Sequence, residues 1–543
     1  MKRIILPALV VFGSLAPARG EDFSQWRGQH RNGLTTGGPA LDIRWGKGGP
    51  IRLWESEKIP GLLRDGFGCV SVVSGKAYVY AQWWRGAEIA TRTLGAKGLR
   101  RLGRTAKGIP KNVVAEVEAA RMAPELAKLS GRARSAWIKE WTKEHGLTAP
   151  DKKALYNFAV DRLNRGTKAL PLDLLAKVQT IRDKRFPDQA ALDTWLAEND
   201  VSGGHKAAVL AVVPTAVRTS WDALICLDAA DGKTVWKSLF DGAGVRGYPY
   251  GASSTPTVVD GRCYFCGSRN DVYCVNAETG EKVWQVKVAR EPTGWTRNHS
   301  SPLVFDGKVI VTAGPLVALE VATGNVLWRQ PKVMTREPSP VRWRSGDRTL
   351  LLCNRSGRNG TVYCVNAADG AVLWSAPGGG SNTPAIVGDA LVTSVIVGKF
   401  VGDHTKYGLV AYRLSSERAE KLWSKQKYSA GGESALIHGG YVYNFGPRVA
   451  VCIELATGRI AWEQRTTHAG WRSPVLADDK IITSDGSSII VIRATPGKYE
   501  LLGRAKLPIG QYTSPVIADG RLYLRQRANV ACYDLTRPGA NAP

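Results

Sequence analysis

A repeated pattern of turns and aromatic residues constrains the fold of this chain more than any other feature. The pattern opens with Ser-Pro or Thr-Pro and a short apolar run, continues with an aromatic strand, and closes with Asp/Asn-Ala-x-x-Gly and Trp. Copies occupy residues 254–284, 301–328 and 339–374, and others begin near residues 382, 433, 473 and 514. The first copy is split between residues 68–82 and 221–236, which makes eight repeats spaced by roughly forty to fifty residues.

Each repeat predicts one small β-sheet. Four short runs of alternating polarity, separated by turn residues, are typical of a four-stranded antiparallel sheet. A lone sheet of this size cannot bury both faces, whereas about eight arranged radially can, and they lose their exposed edges. The last repeat lacks a terminal Trp strand, while residues 51–56 (IRLWES) have one without a partner. We therefore predict an all-β propeller of about eight four-stranded antiparallel blades, with the N-terminal segment supplying the outer strand of the last blade.

The repeat also carries a family resemblance. The signature A-x-T/D-G-x-x-x-W, with Ser-Pro opening each blade, resembles the repeat of pyrroloquinoline quinone (PQQ) enzymes. The segment FSQWRGQHRNGLT at residues 23–35 is similar to the start of exported PQQ-binding-like propeller proteins of bacteria. The resemblance implies the fold and two branches of function. One is the quinoprotein alcohol dehydrogenases, and the other is the BamB-like component of outer-membrane β-barrel assembly, which binds proteins and catalyses nothing.

The quinoprotein branch implies features that this chain does not plainly carry. By resemblance, such an enzyme holds Ca²⁺ beside the quinone, uses an aspartate base and often has two adjacent cysteines. Calcium takes six to eight oxygen ligands. No two cysteines are adjacent here, and Glu433 is the carboxylate found in the predicted mouth loops, although Asp65 or Asp241 could approach it. We expect no catalytic residues, no metal site and no cofactor, and PQQ with calcium stays as the alternative.

The loops that precede each Ser-Pro start should crowd around one mouth of the central channel. They are rich in aromatic and cationic side chains, as a pocket for an anionic or sugar-like ligand would be. Any loop-lined mouth could show the same composition, so both interpretations stay open. The ligand-binding candidates are Arg246, Tyr248, Tyr250, Trp295, Arg297, Asn298, His299, Asn382, Glu433, His468, Trp471, Arg472, Gln511 and Tyr512.

The strand pattern stops between Trp84 and about Arg218, where helical signals replace it. Apolar residues near helical spacing occupy residues 112–129, and Pro150 and Pro171 stand where helices begin. Four to five short helices are predicted, emerging between the second and third strands of the first blade. The predicted organisation is a leader (1–20), a closing strand with half of blade one (21–84), a basic helical insertion (85–219), the remaining blades (220–536) and a tail (537–543).

Basic charge is dense in the predicted insertion. The chain has a formal net charge of +27, and residues 85–218 hold 25 Lys and Arg against 14 Asp and Glu. Such a balance concerns partners and solubility rather than fold. The run KGLRRLGRTAK at 97–107 is either a docking surface for an acidic partner, a membrane or a polymer, or the solvated face of a helical bundle. Its partner-docking candidates are Lys97, Arg100, Arg101, Arg104 and Lys107.

The N-terminus is typical of a secretory signal peptide. Lys2 and Arg3 precede an apolar run at residues 4–15, and the small residues Ala18 and Gly20 suit cleavage before Glu21. No cysteine follows until residue 69, so a lipoprotein anchor is not expected, and no later stretch has the length and apolarity of a membrane span. We expect an exported protein, periplasmic or extracellular.

The nine cysteines suggest a disulfide set at first, but their positions favour a structural role. Five of them occupy the same place in successive repeats, where they are too far apart to bridge. Cys263 and Cys266 lie three residues apart in one strand and should face opposite sides of the sheet, which disfavours a metal site. We predict small buried hydrophobes. The five repeated cysteines are Cys226, Cys274, Cys364, Cys452 and Cys532.

These features favour a non-enzymatic scaffold that binds envelope proteins or anionic envelope polymers through its loop faces and basic insertion. One alternative is a periplasmic, PQQ- and calcium-dependent oxidoreductase of the alcohol dehydrogenase type. Another is a binding module for anionic polysaccharide or lipid surfaces, which would use the same basic faces. Nucleic acid is not the expected partner.

Overall fold

The chain forms two compact units, one built of β-sheets and the other, Gly86–Thr219, built mainly of helices. The computed structural model describes residues 20–59, 68–242, 253–290, 300–335, 337–355, 360–396, 407–429, 431–466, 472–510 and 512–539. None of the described helices combines the length and the apolar character that crossing a membrane requires.

Strand β1 (Ile51–Glu55) is followed along the chain by β2 (Ser71–Val73) and β3 (Lys76–Glu88). The helical unit comes next, and in it β4 (Arg92–Thr93) pairs with β5 (Arg185–Phe186). Its helices are α1 Ala96–Leu102, α2 Lys111–Arg121, α3 Pro124–Lys128, α4 Gly131–Glu144, α5 Lys153–Arg165, α6 Leu172–Thr180, α7 Gln189–Glu198 and α8 Gly203–Leu210. Short 3-10 turns occupy Gly46–Gly48, Pro150–Lys152 and Gly166–Lys168.

The remaining strands follow the helical unit. They are β6 Ala216–Asp228, β7 Thr234–Asp241, β8 Thr257–Val259, β9 Arg262–Cys266, β10 Asp271–Asn276, β11 Lys282–Lys287, β12 Leu303–Phe305, β13 Lys308–Thr312, β14 Gly314–Glu320, β15 Val326–Thr335, β16 Val341–Ser345, β17 Arg348–Arg355, β18 Thr361–Asn366, β19 Val372–Pro377, β20 Ala385–Val387, β21 Ala390–Ile396, β22 Tyr407–Leu414, β23 Ala419–Gln426, β24 Leu436–His438, β25 Tyr441–Gly446, β26 Val449–Glu454, β27 Ile460–Arg465, β28 Val475–Ala477, β29 Lys480–Ser484, β30 Ser488–Arg493, β31 Leu501–Lys506, β32 Val516–Ala518, β33 Arg521–Arg525 and β34 Val530–Asp534.

In the described residues these strands form eight four-stranded antiparallel sheets, here numbered in chain order. Sheet 1 holds β2, β3, β6 and β7, and sheets 2 to 7 each hold four consecutive strands from β8 to β31. Sheet 8 combines β32, β33 and β34 with β1, which pairs with β34 so that Trp54 lies opposite Cys532. The predicted contribution of the N-terminal strand to the last sheet is confirmed. The fold is a β-propeller, and each sheet corresponds to one repeat of the sequence.

In seven sheets, a tryptophan on the outer strand donates a hydrogen bond to the next sheet. Trp236 of sheet 1, for example, donates its indole Nε1–H to the carbonyl of Ala277 in sheet 2 at 3.1 Å. These contacts confirm that the repeated tryptophans are packing residues between blades. The other six pairs are Trp54 with Ala229, Trp284 with Val321, Trp328 with Ala367, Trp374 with Ser415, Trp423 with Leu455, and Trp462 with Thr495.

The repeated cysteines lie opposite these tryptophans on the neighbouring strand. Cys274 pairs with Trp284 in the β10–β11 ladder, and the register shifts immediately after it. A small side chain at this position leaves room for the indole, and the β-bulge alters the direction of the strand that carries it. Alanine takes the same position in sheets 3 and 5. All nine cysteines are buried thiols outside any disulfide, as predicted, and Cys263 and Cys266 belong to apolar clusters on opposite sides of sheet 2.

The native protein should therefore be inert to thiol reagents. Burial raises the pKa of Cys69 to about 11 and that of Cys226 to about 12, so the reactive thiolate is scarce at pH 8, roughly one part in a thousand or less. Titration with Ellman's reagent at pH 8 should detect almost no thiol before unfolding and nine in guanidinium chloride. A thiol that reacts within minutes in the native protein would contradict this arrangement.

The helical unit contains more helices than the sequence indicated. Eight α-helices are described, whereas four to five were expected. The predicted segment 112–129 is divided because Pro124 lacks a backbone N–H and disfavours helical geometry at Ala123, whose ψ is 130°. Helix α8 was not foreseen, since its Gly-Gly start and small residues give little periodic signal.

Candidate functional site

A ring of hydroxyl groups surrounds the centre of the propeller at the starts of the inner strands. Each hydroxyl accepts a hydrogen bond from a backbone N–H of the preceding sheet, over 2.9–3.4 Å. Ser301 Oγ, for example, accepts from Thr255 N, and Ser339 Oγ accepts from Ser301 N. The Ser-Pro and Thr-Pro starts therefore link neighbouring sheets. The seven hydroxyl residues are Thr255, Ser301, Ser339, Thr383, Ser434, Ser473 and Ser514.

Cys69 takes the eighth position in this ring, where sheet 1 begins with Gly-Cys instead of Ser-Pro. Its backbone N–H donates to Thr255 Oγ1 at 2.9 Å, and its thiol donates to the carbonyl of Ser514 at 3.4 Å. The last sheet is thereby joined to the first by the same row of contacts that joins all the others.

Residues 23–35, here called the plug, occupy the centre of this ring of sheets. Phe23 pairs with Val72 in sheet 1, and the carbonyl of Ser24 accepts from Val258 N in sheet 2 at 2.8 Å. The segment makes hydrogen bonds to every one of the eight sheets. The remaining partners are Ser301 and Pro302 in sheet 3, Pro340 in sheet 4, Thr383 in sheet 5, Ser434 and Ala435 in sheet 6, Leu476 in sheet 7 and Ile517 in sheet 8.

Two buried arginines fix the plug. The Arg27 guanidinium donates to the carbonyls of Ser434 at 3.1 Å and Ala435 at 2.6 Å, while that of Arg31 donates to Ser301 at 3.2 Å and Pro340 at 2.9 Å. Burial lowers the pKa of both groups to about 9, so both remain charged at neutral pH. Carbonyl dipoles at the starts of three inner strands thus solvate two positive charges. The sequence analysis singled out this segment only as a family motif and missed its role.

A small cavity of about 50 Å³ lies where the plug meets the hydroxyl ring. Trp26 of the plug lines it and donates from Nε1 to Thr383 Oγ1 at 2.9 Å. Glu337 also lines it and accepts a hydrogen bond from Ser381 Oγ. The other lining residues are Ser253, Thr255, Ser301, Ser339, Thr383, Gly432 and Tyr512.

Glu337 is a mouth residue that the sequence analysis missed. It belongs to the loop before Ser339-Pro340, so the rule that selected the other candidates would also have found it. Glu337 and Glu433 lie around the phenol of Tyr407. Burial raises the pKa of that phenol, and the two carboxylates raise it further. Glu337 is thus a second mouth-loop carboxylate besides Glu433, where the sequence analysis had named only Asp65 and Asp241. Asp241 is exposed on β7, and Asp65 lies outside the described residues.

Four of the predicted mouth residues are described. Asn382 is buried, and its carbonyl accepts from Asn354 Nδ2 at 2.7 Å. Glu433 is fully buried and accepts from Asn444 Nδ2 at 3.3 Å. Both contribute to a polar network beneath the mouth. Ten candidates lie outside the described residues: Arg246, Tyr248, Tyr250, Trp295, Arg297, Asn298, His299, His468, Trp471 and Gln511.

Arg472 and Tyr512, the other two described mouth residues, form a cation–π pair. The guanidinium carbon lies 5.6 Å from the ring centroid. Arg472 is 6% exposed, and within the described part of the protein its buried Nε and Nη1 have no hydrogen-bond partner. Tyr512 has a φ of +64°, which is uncommon for an aromatic residue. Unsatisfied buried donors and backbone strain both occur at ligand sites, so an anionic group beside Arg472 is the chemistry that this pair favours.

Replacing Arg472 with methionine should raise the thermal midpoint of unfolding rather than lower it. Burial lowers the pKa of Arg472, which shows that its charge is poorly solvated, and an apolar side chain of similar length removes about 1–2 kcal/mol of that cost. Calorimetry should also show that millimolar sulfate, at matched ionic strength, stabilises the native protein and not Arg472→Met. Destabilisation by the substitution, with no sulfate effect on either protein, would argue against an anion site.

The basic docking candidates all lie in the helical unit, and all five are exposed. Arg100, Arg104 and Lys107 line a groove between α1, α5 and α6. Lys97 and Arg101 are exposed and do not line it.

The match to known proteins covers mainly the repeats and little of the insertion. A family model described as outer membrane protein assembly factor BamB matches residues 188–395 and 339–537, which together exceed half of the chain. The chain is a member of the BamB family.

Relatives within and beyond the BamB family show similar degrees of identity. The chain is 25% identical over 373 residues to BamB of Moranella endobia, covering 65% of this chain and 92% of that protein. It is 27% identical over 320 residues to BamB of Escherichia coli K12, covering 57% and 79%. It is also 24% identical over 366 residues to a tetrathionate hydrolase of Acidithiobacillus ferrooxidans, covering 51% and 71%.

Solved structures with a similar fold include BamB from Moraxella catarrhalis, with a TM-score of 0.44 and 16% identity over 58% of this chain and 91% of that one. A quinohemoprotein alcohol dehydrogenase from Comamonas testosteroni has a TM-score of 0.41 and 12% identity, covering 60% and 73%.

The described residues of this BamB-family chain do not fit a quinone with calcium. Pockets for cofactors of that size usually span about 300–1,000 Å³, whereas the cavity at the hydroxyl ring is about 50 Å³ and has Trp26 in its wall. No cluster of three or more His, Cys, Asp or Glu side chains suited to a metal occurs among the described residues. Glu337 and Glu433 supply only part of the oxygen set that calcium takes.

Proposed function

We propose that this protein is an exported, non-catalytic scaffold of the cell envelope. In this proposal its eight sheets are the blades of one closed propeller, and protein partners bind the loop faces and the basic helical unit. The BamB-family match over residues 188–537 supports an assembly role, since the relatives are named as outer membrane protein assembly factors. Export is supported by the leader predicted at residues 1–20.

The plug is the observation that carries the non-catalytic assignment. Residues 23–35 fill the centre of the propeller with hydrogen bonds to all eight sheets, and the cavity left above them is smaller than a substrate pocket. Partners should therefore bind to the outer loop surfaces rather than inside the channel. Large surfaces with few enclosed cavities favour protein partners over small substrates.

The helical unit is proposed to be a separately folding insertion. Its two ends meet, because Ile89 N donates to the carbonyl of Thr215 at 3.1 Å, so a short turn can replace everything between them. Removing residues 86–215 and joining the ends with a Gly-Ser turn should leave a cooperative β protein. Circular dichroism should show the loss of helix with one sharp melting transition. Aggregation of the shortened chain would show that the propeller depends on the unit.

Two measurements on the mature chain test the scaffold role. Specific envelope proteins should co-purify with it and remain bound in high salt, because partner surfaces that bury apolar area resist screening. Retention on anionic polymer that disappears with salt, without protein partners, would favour a polysaccharide- or lipid-surface module instead.

Thermal melting with PQQ and Ca²⁺, alongside an ultraviolet–visible spectrum, tests the enzymatic alternative. A ligand that binds the native state raises the melting temperature in a saturable way. We expect no shift and no cofactor absorption. A saturable rise of several degrees would overturn the scaffold assignment in favour of a quinoprotein oxidoreductase.

A further inference from the structure

The helical unit holds a groove of about 700 Å³ between two separate apolar cores. Leu99 of α1 belongs to one core, which α6, α7 and α8 complete. Phe158 of α5 belongs to the other, which is formed mainly by α2 to α5. Both residues line the groove together with Ile109 and form an apolar floor, but Leu99 is 6% and Phe158 1% exposed, so the partly exposed Ile109 supplies most of the apolar surface that a ligand can touch.

The rim of this groove is strongly cationic. Arg100, Arg104, Lys107 and Arg182 line it, and all four side chains are exposed. Arg182 forms an ion pair with Asp183 at 3.3 Å, in which both partners are more than 60% exposed, so the pair is weak. Among the described residues, Arg100, Arg104 and Lys107 form no salt bridge. Their charges are therefore available to a ligand.

The one acidic residue lining the groove does not offset these charges. Asp161 accepts from Arg165 Nε at 3.1 Å and Nη2 at 3.0 Å, and from the backbone N–H of Arg104 at 2.8 Å. Its carboxylate is thus neutralised by a cation from its own helix. The groove keeps three free positive charges over an apolar floor.

The walls of the groove are held in place by hydrogen bonds to backbone carbonyls. Arg165 donates to the carbonyls of Arg100 at 3.3 Å and Arg101 at 2.6 Å, which fastens the end of α1 to α5. The buried Arg162 pairs with Glu118 at 2.6 Å and donates to the carbonyl of Leu170 at 2.8 Å, joining α5 to α2 and to the start of α6. A fixed groove loses less conformational freedom when it binds, which favours affinity.

We propose that this groove binds an extended acidic peptide segment of a partner protein, with an apolar side chain of that segment packed against Ile109. The cations select carboxylates, and the floor selects the apolar residue. A concave site of this volume suits a peptide and does not match the flat surface of a bilayer. The inference rests on the proposed scaffold role for its biological partner, but the binding itself can be tested without one.

The test uses the full mature chain and a fluorescein-labelled eight-residue peptide of glutamates with one central phenylalanine. Fluorescence anisotropy should show saturable binding. The triple variant Arg100→Ser, Arg104→Ser, Lys107→Ser should weaken it at least tenfold, since each removes one free charge from the rim. The matched control Lys128→Ser, Arg132→Ser, Lys139→Ser makes the same charge change on exposed positions of α3 and α4 and should alter the affinity less than twofold.

Two further measurements separate groove binding from general attraction. Replacing the central phenylalanine of the peptide with glycine should weaken binding several-fold, because the apolar floor then has no occupant. Ala154→Glu places a carboxylate on the groove wall near the start of α5, where an acid suits the helix, and should also weaken binding at least tenfold. Unchanged melting curves would show that each variant is folded.

Equal losses in both triple variants would overturn the proposal, because they would mean non-specific attraction to a basic protein. Binding of dextran sulfate or of phosphatidylglycerol vesicles that is lost in the groove variant, with no peptide binding, would also overturn it. Failure here is distinct from failure of the scaffold role. Envelope partners could still co-purify with the groove variant, and peptide binding could persist if no envelope partner co-purified.

Discussion

Replacing Arg31 with alanine is expected to lower the free energy of unfolding by about 4 kcal/mol. The guanidinium of Arg31 satisfies the carbonyls of Ser301, Pro302 and Pro340, and its Nε donates to Gln25 Oε1 at 2.7 Å. The substitution leaves these buried acceptors without their donor and opens a void at the centre of the propeller. Denaturant unfolding followed by tryptophan fluorescence measures the loss.

Arg52→Ala is the control for this prediction. Arg52 is also an arginine near the N-terminus, but its side chain is 56% exposed and pairs with Glu55 on the surface of β1. Its removal should change the unfolding free energy by less than about 0.5 kcal/mol. If Arg31→Ala proved as mild as Arg52→Ala, the plug would not be an integral part of the fold.

Replacing Gly280 with alanine is expected to cost about 3 kcal/mol. Gly280 closes the turn between β10 and β11 with a φ of +75°, which alanine adopts with strain. A Cβ at this position would also lie 2.5 Å from the Trp236 ring and 2.6 Å from Ser238 Oγ. The tryptophan would have to move away from the carbonyl of Ala277, so the seam between sheets 1 and 2 would open.

Gly261→Ala in the same sheet separates the two causes. Gly261 has a φ of +69°, but a Cβ there would meet nothing within 4 Å. Its substitution should cost only the backbone strain, about 1 kcal/mol. The difference between the unfolding free energies of the two variants, measured in urea, gives the cost of the contact with Trp236. Equal costs would mean that the turn glycine is needed for conformation alone.

The repeat made the propeller predictable because its signals are local and recur. In five sheets the Gly of the turn, the Trp four residues later and the small residue opposite that Trp lie within one sheet and its neighbour. Eight copies of a weak pattern reinforce one another, so even the pairing of β1 with β34 could be expected from a missing strand at one end and an extra one at the other.

The plug could not be predicted in the same way. Arg27 and Arg31 stand in a short polar segment without periodicity, and sequence alone suggests exposed charges there. Their partners lie some 270 to 408 positions away, and the acceptors are backbone carbonyls, which have no sequence signature. For a similar reason, the sequence predicted only part of the groove of the helical unit. The run at 97–107 marked the cations, whereas Ile109 lies beyond it and Phe158 and the neutralised Asp161 belong to α5.

The pairing of β1 with β34 has a consequence for the order of folding. The N-terminal strand β1 cannot pair until the last strand has been made, because Trp54 meets Cys532 only after almost the entire chain has been synthesised. Until then sheet 8 is incomplete and the arc of sheets has two open edges, which are sites for aggregation. Ring closure across such a sequence separation is also slow. If the chain is exported as proposed, it therefore needs protection from the moment its first blades emerge until its last strand arrives.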